Sequence, residues 1–198
     1  MKKLFGLLII VFVLGFCSNV LALDLAGKFG FTSKGGVGKP MGELADANAF
    51  GADMGYGFGA TGEFFLTDRV ALGGHFDYMS FGVTEEDVDY SLKLTSFGAF
   101  VKYIFPTNTN IAPYLKTSTG MYEPKVSGSS DGTIPSASFD MKFGFGVGAG
   151  VMFKASDFVV IGAEAVFHDV MSQETEELGC DLQYIQINAG VTLLVGGK

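Results

Sequence analysis

The sequence predicts an all-β fold: an eight-stranded antiparallel up-and-down transmembrane β-barrel. Three observations carry this expectation. Apolar side chains recur at every second residue in segment after segment, the period of a strand with two unlike faces. The chain is hydrophobic, with mean hydropathy +0.36, 29 Gly and 20 Phe, yet past residue 22 no apolar run approaches the ~18 residues of a membrane helix. The connections between the alternating segments are short and long by turns, as an up-and-down barrel requires.

The clearest strand is Met141–Phe153. Met141, Phe143, Phe145, Val147, Ala149, Val151 and Phe153 share one parity, and Lys142, Gly144, Gly146, Gly148, Gly150 and Met152 the other. A helix would spread the aromatic rings all round and carry four glycines at about 1 kcal/mol each relative to Ala. Met54–Phe64, Val70–Tyr78 and Phe97–Phe105 repeat the pattern, as do Val159–Phe167 and Gln183–Val195. Leu25–Phe31 and Ile111–Tyr122 match less well; the latter turns Thr117 and Thr119 toward lipid. Thr67-Asp68-Arg69, Pro106–Asn110 and Ala155-Ser156-Asp157 are the short turns. Segments 34–52, 83–89, 123–138 and 169–181 are the long hydrophilic loops.

Aromatic residues fall where two interfacial girdles belong. Phe64, Tyr103, Phe105, Phe153 and Phe158 lie near the short turns; Tyr56, Tyr78, Tyr90, Tyr122 and Phe167 lie near the long loops. Small inward residues suit a narrow lumen, so Gly59→Ala is expected to be tolerated better, where space allows, than an outward charge such as Val147→Arg.

Residues 1–22 are expected to be a cleaved signal peptide, with residues 23–198 forming the barrel. Lys2 and Lys3 precede an apolar run from Leu4 to Phe16, and Val20-Leu21-Ala22 fits a cleavage site. About 13 apolar residues fall short of a spanning helix. Phe16 before Cys17 argues against lipid attachment there. Removing Lys2 and Lys3 takes the formal charge from −8 to −10, which argues against nucleic acid as a partner. Only Cys180 then remains, so an intramolecular disulfide is excluded.

With pieces such as Phe97-Gly98-Ala99-Phe100-Val101-Lys102-Tyr103-Ile104-Phe105-Pro106, the mature chain resembles the small outer-membrane β-barrel family. That family includes the membrane domain of outer-membrane protein A, the X-type barrels and the opacity proteins. The resemblance implies an outer-membrane location, a polar plug in the lumen and no fixed catalytic motif.

Several motifs have chemical readings. Ser33-Lys34-Gly35-Gly36-Val37-Gly38-Lys39-Pro40 looks like a deviant phosphate-binding loop, but Pro40 stands where a Mg²⁺-binding hydroxyl belongs. A surface loop is the expectation there. The glycines of Gly144–Gly150 recur at period two and line a strand face, unlike a dinucleotide-binding turn. His75 and His168 share the inward parity, and His168-Asp169 with Ser172 makes no defensible hydrolase pattern. The acids Glu85-Glu86-Asp87-Val88-Asp89, and Glu174 to Glu177 with Asp181, do not match a calcium loop. No cofactor or metal is expected.

The inward charges are the candidate site. Lys28, Glu63 and Lys102 sit near the short turns, with His75, Asp77, Lys116 and Glu164 deeper. Buried charges favour pairing or hydration, so a lumen polar network is expected. The functional expectation is a monomeric, non-enzymatic barrel that displays four surface loops for envelope integrity or external contact. Its partners would be outer-membrane lipid, lipopolysaccharide and an extracellular ligand of the loops. The alternatives are a narrow channel, a lipid A-modifying enzyme and a soluble lipocalin-like barrel, which would reverse the two faces.

Overall fold

Strands form almost wherever the period-two pattern runs, and they run further than the loop boundaries suggest. The computed structural model describes residues 24–46, 51–85, 88–129, 137–171 and 182–196. Within them lie β1 (Lys28–Met41), β2 (Gly55–Phe65), β3 (Val70–Glu85), β4 (Val88–Ile104) and β5 (Ile111–Ser129). A two-residue β6 (Ala137–Ser138) precedes β7 (Lys142–Lys154), β8 (Val159–Val170) and β9 (Leu182–Gly196). Every pairing is antiparallel. β1 pairs both β2 and β9, β5 pairs both β4 and β7, and β8 lies between β7 and β9. Eight long strands therefore close into an up-and-down barrel with no free edge along its body, which lets every ladder group be paired away from water. The soluble alternative is overturned by the faces: Phe31, Phe58, Val147 and Leu193 point outward, more than half exposed.

The predicted short turns are short. Thr67 Oγ1 accepts the amides of Arg69 (3.1 Å) and Val70 (3.0 Å) between β2 and β3. Asp68 Oδ1 accepts those of Leu25 (2.7 Å) and Ala26 (3.0 Å), tying the chain entering β1 to that turn. Leu25 is consequently buried ahead of the strand, which starts at Lys28 and not at Leu25. At the β7–β8 turn, the Lys154 ammonium lies 2.9 Å from Asp157 and holds its carboxyl below the usual carboxylate range.

Three expected loops contain strand instead. Residues 34–41 continue β1, so the phosphate-loop look-alike is neither a turn nor a surface loop. Its alternation simply continues that of Lys28, Gly30 and Thr32. Residues 83–85, 88 and 89 pair as a hairpin, and 123–129 extend β5. The flanking Ser, Thr and Lys are compatible with strands once the outward face leaves lipid for water. β3, β4 and β5 thus rise beyond the other strands at the long-loop end. The expected signal cleavage, Ser172, Cys180, the 174–177 acids and Asp181 lie outside the described residues.

The girdle needs one correction. Tyr90 and Tyr122 share the parity of Lys102 and Lys116 on their strands and turn inward; Tyr122 is fully buried. The parity that sends Thr117 and Thr119 out must send Tyr122 in. Outside, Tyr103 meets Phe105 (centroids 5.1 Å apart), Phe29 meets Phe64 (4.7 Å) and Phe58 meets Tyr78 (5.2 Å).

The lumen is polar only in its middle. At the short-turn end, Leu25, Phe65, Ile104, Tyr114, Met152 and Leu194 form an apolar layer. At the long-loop end, Met79, Phe81, Leu92, Leu94, Tyr122 and Tyr184 form another. A single 3₁₀ turn, Gly42–Leu44, folds Leu44 over that upper layer, and the Ala52 amide bonds the Leu44 carbonyl at 2.8 Å. The expected polar plug is therefore a thin layer between two hydrophobic ones, because eight strands enclose a space that side chains can fill.

Candidate functional site

The charged layer is assembled through gaps left by glycine. Lys34 on β1 and Asp77 on β3 both pair with Gly59 on the intervening β2. With no side chain there, the Lys34 ammonium and the Asp77 carboxylate meet over β2 at 2.8 Å. A Cβ on Gly59 would lie 2.1 Å from Asp77 Oδ1, so the space on which the tolerance of Gly59→Ala depends is already taken up by that carboxylate. On the opposite wall Gly150 of β7 stands between Tyr114 and Glu164, and the Tyr114 hydroxyl donates to Glu164 Oε2 at 3.1 Å.

Glu164 is the hub. Lys34 donates to its Oε1 at 3.1 Å, Lys116 to both carboxylate oxygens at 3.2 Å, and Asn188 Nδ2 to Oε1 at 3.4 Å. Gln186 in turn donates to Asn188 at 3.0 Å. His75 Nδ1 lies 3.1 Å from Asp77 Oδ2, bringing His75 into the same network. Lys102 and Glu63 form a second pair at 2.6 Å, with β3 between their strands. Three lysines thus face three carboxylates in one layer, an arrangement in which removing either member of a pair leaves a buried charge uncompensated.

Of the seven expected residues, Glu63, His75, Asp77, Lys102, Lys116 and Glu164 come together. Lys28 does not: its ammonium lies 3.7 Å from Asp24, at the short-turn end. The sequence reading missed Lys34, which bridges Asp77 and Glu164, because the loop boundary had been drawn at that residue. The even parity of Lys28, Gly30 and Thr32, carried two residues further, would have found it. Tyr114, Gln186 and Asn188 were missed for lack of any charge signal.

Above this layer, His168 stacks on Tyr184 (centroids 4.6 Å apart, 11° between planes) and its Nδ1 lies 2.9 Å from the Tyr122 hydroxyl. Neither histidine is bonded to a serine, and no group of three metal-ligating side chains occurs among the described residues. What the layer does chemically is hold six charges in register in a space closed above and below by apolar side chains.

This architecture has known counterparts. The model of the outer membrane protein beta-barrel domain matches residues 8–193. The chain belongs to the outer membrane protein β-barrel domain family. It is accordingly an outer-membrane protein. Among solved structures it is similar to Neisserial surface protein A, at 20% identity and a TM-score of 0.63, covering 84% of this chain and 98% of that one. Ail, the attachment invasion locus protein of Yersinia pestis, gives 18% and 0.56, covering 86% and 99%. OprG of Pseudomonas aeruginosa gives 10% and 0.53, covering 88% and 98%. These likenesses show the fold. No curated protein sequence matches the chain.

Proposed function

We propose that this outer-membrane barrel is a closed, non-enzymatic scaffold whose long-loop end makes contact with an external partner. The observation that carries the reading is the lumen: an ionic layer sealed between two apolar ones. A conducting pore needs a continuous hydrated path, and side chains such as Phe81, Leu92 and Tyr184 lie across it at the long-loop end. What remains accessible is the end where β3, β4 and β5 project. Above the outward Tyr78, Phe97 and Met121, their outer face changes to Gly82, Ser91, Lys93, Lys125 and Ser127, the composition of a surface meeting water. The similar Ail of Yersinia pestis carries attachment in its name, and a structure of it holds the heparin analogue sucrose octasulfate, which is in keeping with contact to an external partner.

The test combines three measurements on the full-length protein. Reconstituted into planar bilayers, it should show no open-channel conductance. Incubated with lipid A, it should release no fatty acid. Replacing the 42–54 connection and the residues beyond Lys125 on β5 with short turns should remove surface attachment of expressing cells, while leaving the barrel folded. Steady conductance would establish the channel instead, and fatty-acid release the enzyme.

A further inference from the structure

Lys102 on β4 and Lys116 on β5 are direct cross-strand partners in the barrel interior. Like charges in that relation repel. Both ammonium groups also sit over one ring: Lys102 Nζ lies 5.7 Å and Lys116 Nζ 4.9 Å from the centroid of Phe100. Their carboxylate partners, Glu63 and Glu164, come from β2 and β8, on opposite sides of the pair. Ring quadrupoles attract cations and offset some of the repulsion, with Lys102 Nζ also 4.9 Å from the Tyr114 centroid.

Beside them lies a cavity of about 40 Å³ whose wall includes Lys34, Lys102, Lys116, Thr61, Asn188 and Glu164. Three lysines therefore line it against a single acidic residue. Glu63 and Asp77 are not in the wall; they bind Lys102 and Lys34 from outside it. Each ammonium has three donors, and Lys102 has one oxygen partner, Glu63 Oε2, among the described residues. The wall's carboxylate, Glu164, already accepts from Lys34, Lys116, Tyr114 and Asn188.

We propose that this cavity is a binding site for a small monovalent anion of the halide class, held between the ammonium groups of Lys102 and Lys116. A halide accepts from every direction and donates nothing, which matches a wall rich in donors. A water molecule needs two to four polar partners and could use the Thr61 hydroxyl as an acceptor, so a bromide soak is what separates an ion from a water. The volume exceeds the ~10–15 Å³ that one water needs, so a monatomic ion fits. Bound there, the ion screens the Lys102–Lys116 repulsion and adds a cohesive contact between β4 and β5. This site is independent of whatever the loops contact.

The experiment uses bromide and chloride on the folded full-length barrel. Crystals grown without halide and soaked in bromide at about 0.15 M, near physiological ionic strength, should show an anomalous peak in the cavity beside Lys102 and Lys116. In detergent, the unfolding midpoint should rise when chloride replaces gluconate at constant ionic strength. The rise should vanish in Glu63→Gln/Lys102→Met, which removes one ammonium together with its carboxylate. Three results would each overturn the proposal: no bromide peak with ordered water in its place, a midpoint indifferent to the anion, or an unchanged chloride effect in the double variant. Should the double variant not fold, the wild-type soak decides alone.

Discussion

The two faces of one strand teach opposite lessons about what this barrel tolerates. On β7 the outward Phe143, Val147, Val151 and Phe153 contact no other layer of protein and are about half exposed. Between them the inward Gly144, Gly146, Gly148 and Gly150 have backbone or side-chain atoms within 3 Å of where a Cβ would stand. Outside, any apolar shape will serve and charge is the error. Inside, charge is admissible in pairs and volume is the error. The difference is one of solvent. Lipid conforms to whatever shape it meets but cannot solvate an ion, whereas the packed lumen is rigid yet supplies counter-charges and hydrogen bonds.

The sharpest way to break this comparison is to unpair a lumen charge. Lys102→Met should strand Glu63 and cost about 3–5 kcal/mol, read by denaturant unfolding in detergent. The double variant Glu63→Gln/Lys102→Met should cost less than the two single changes together. Additivity within about 0.5 kcal/mol would mean that the pair is solvated and the inner face is not a packed ionic layer. Next in size is a charge on the outer face: Val147→Arg should cost about 2–4 kcal/mol near the bilayer midplane. Folding into liposomes as efficiently as wild type would reverse the face assignment.

Volume inside comes third. Gly59→Ala forces Asp77 away from Lys34 and should cost about 1–3 kcal/mol as overpacking; an unchanged unfolding midpoint would show that β2 leaves more room than the 2.1 Å approach indicates. The smallest effect belongs to volume outside. Val151→Leu should stay within about 0.5 kcal/mol of wild type, and a loss as large as that of Gly59→Ala would show that the outer face, too, packs against something shaped.

Parity was legible because it is local. A strand sends alternate side chains to opposite faces whatever its neighbours do, so Phe143 and Val147 outward, and Glu63 and Lys116 inward, follow from the residue order alone. The same rule places Lys34, Tyr90 and Tyr122 inward. Those three were misread where an assumed loop or girdle replaced the count. The number of strands and the short turns were likewise contained in the punctuation at Thr67-Asp68-Arg69 and Ala155-Ser156-Asp157.

Which inward residues meet was decided only by the closed barrel. Strand tilt and stagger set the heights at which side chains from different strands coincide, and no local signal encodes them. That is why Lys28, near Glu63 and Lys102 by count from the turns, pairs with Asp24, while Lys34 reaches over Gly59 to Asp77 and on to Glu164. The apolar layers at both ends of the lumen have the same origin. On these strands inward Leu94, Phe81 and Tyr184 read as breaks in a polar face, and only closure of eight strands around a space they can fill turns them into a seal.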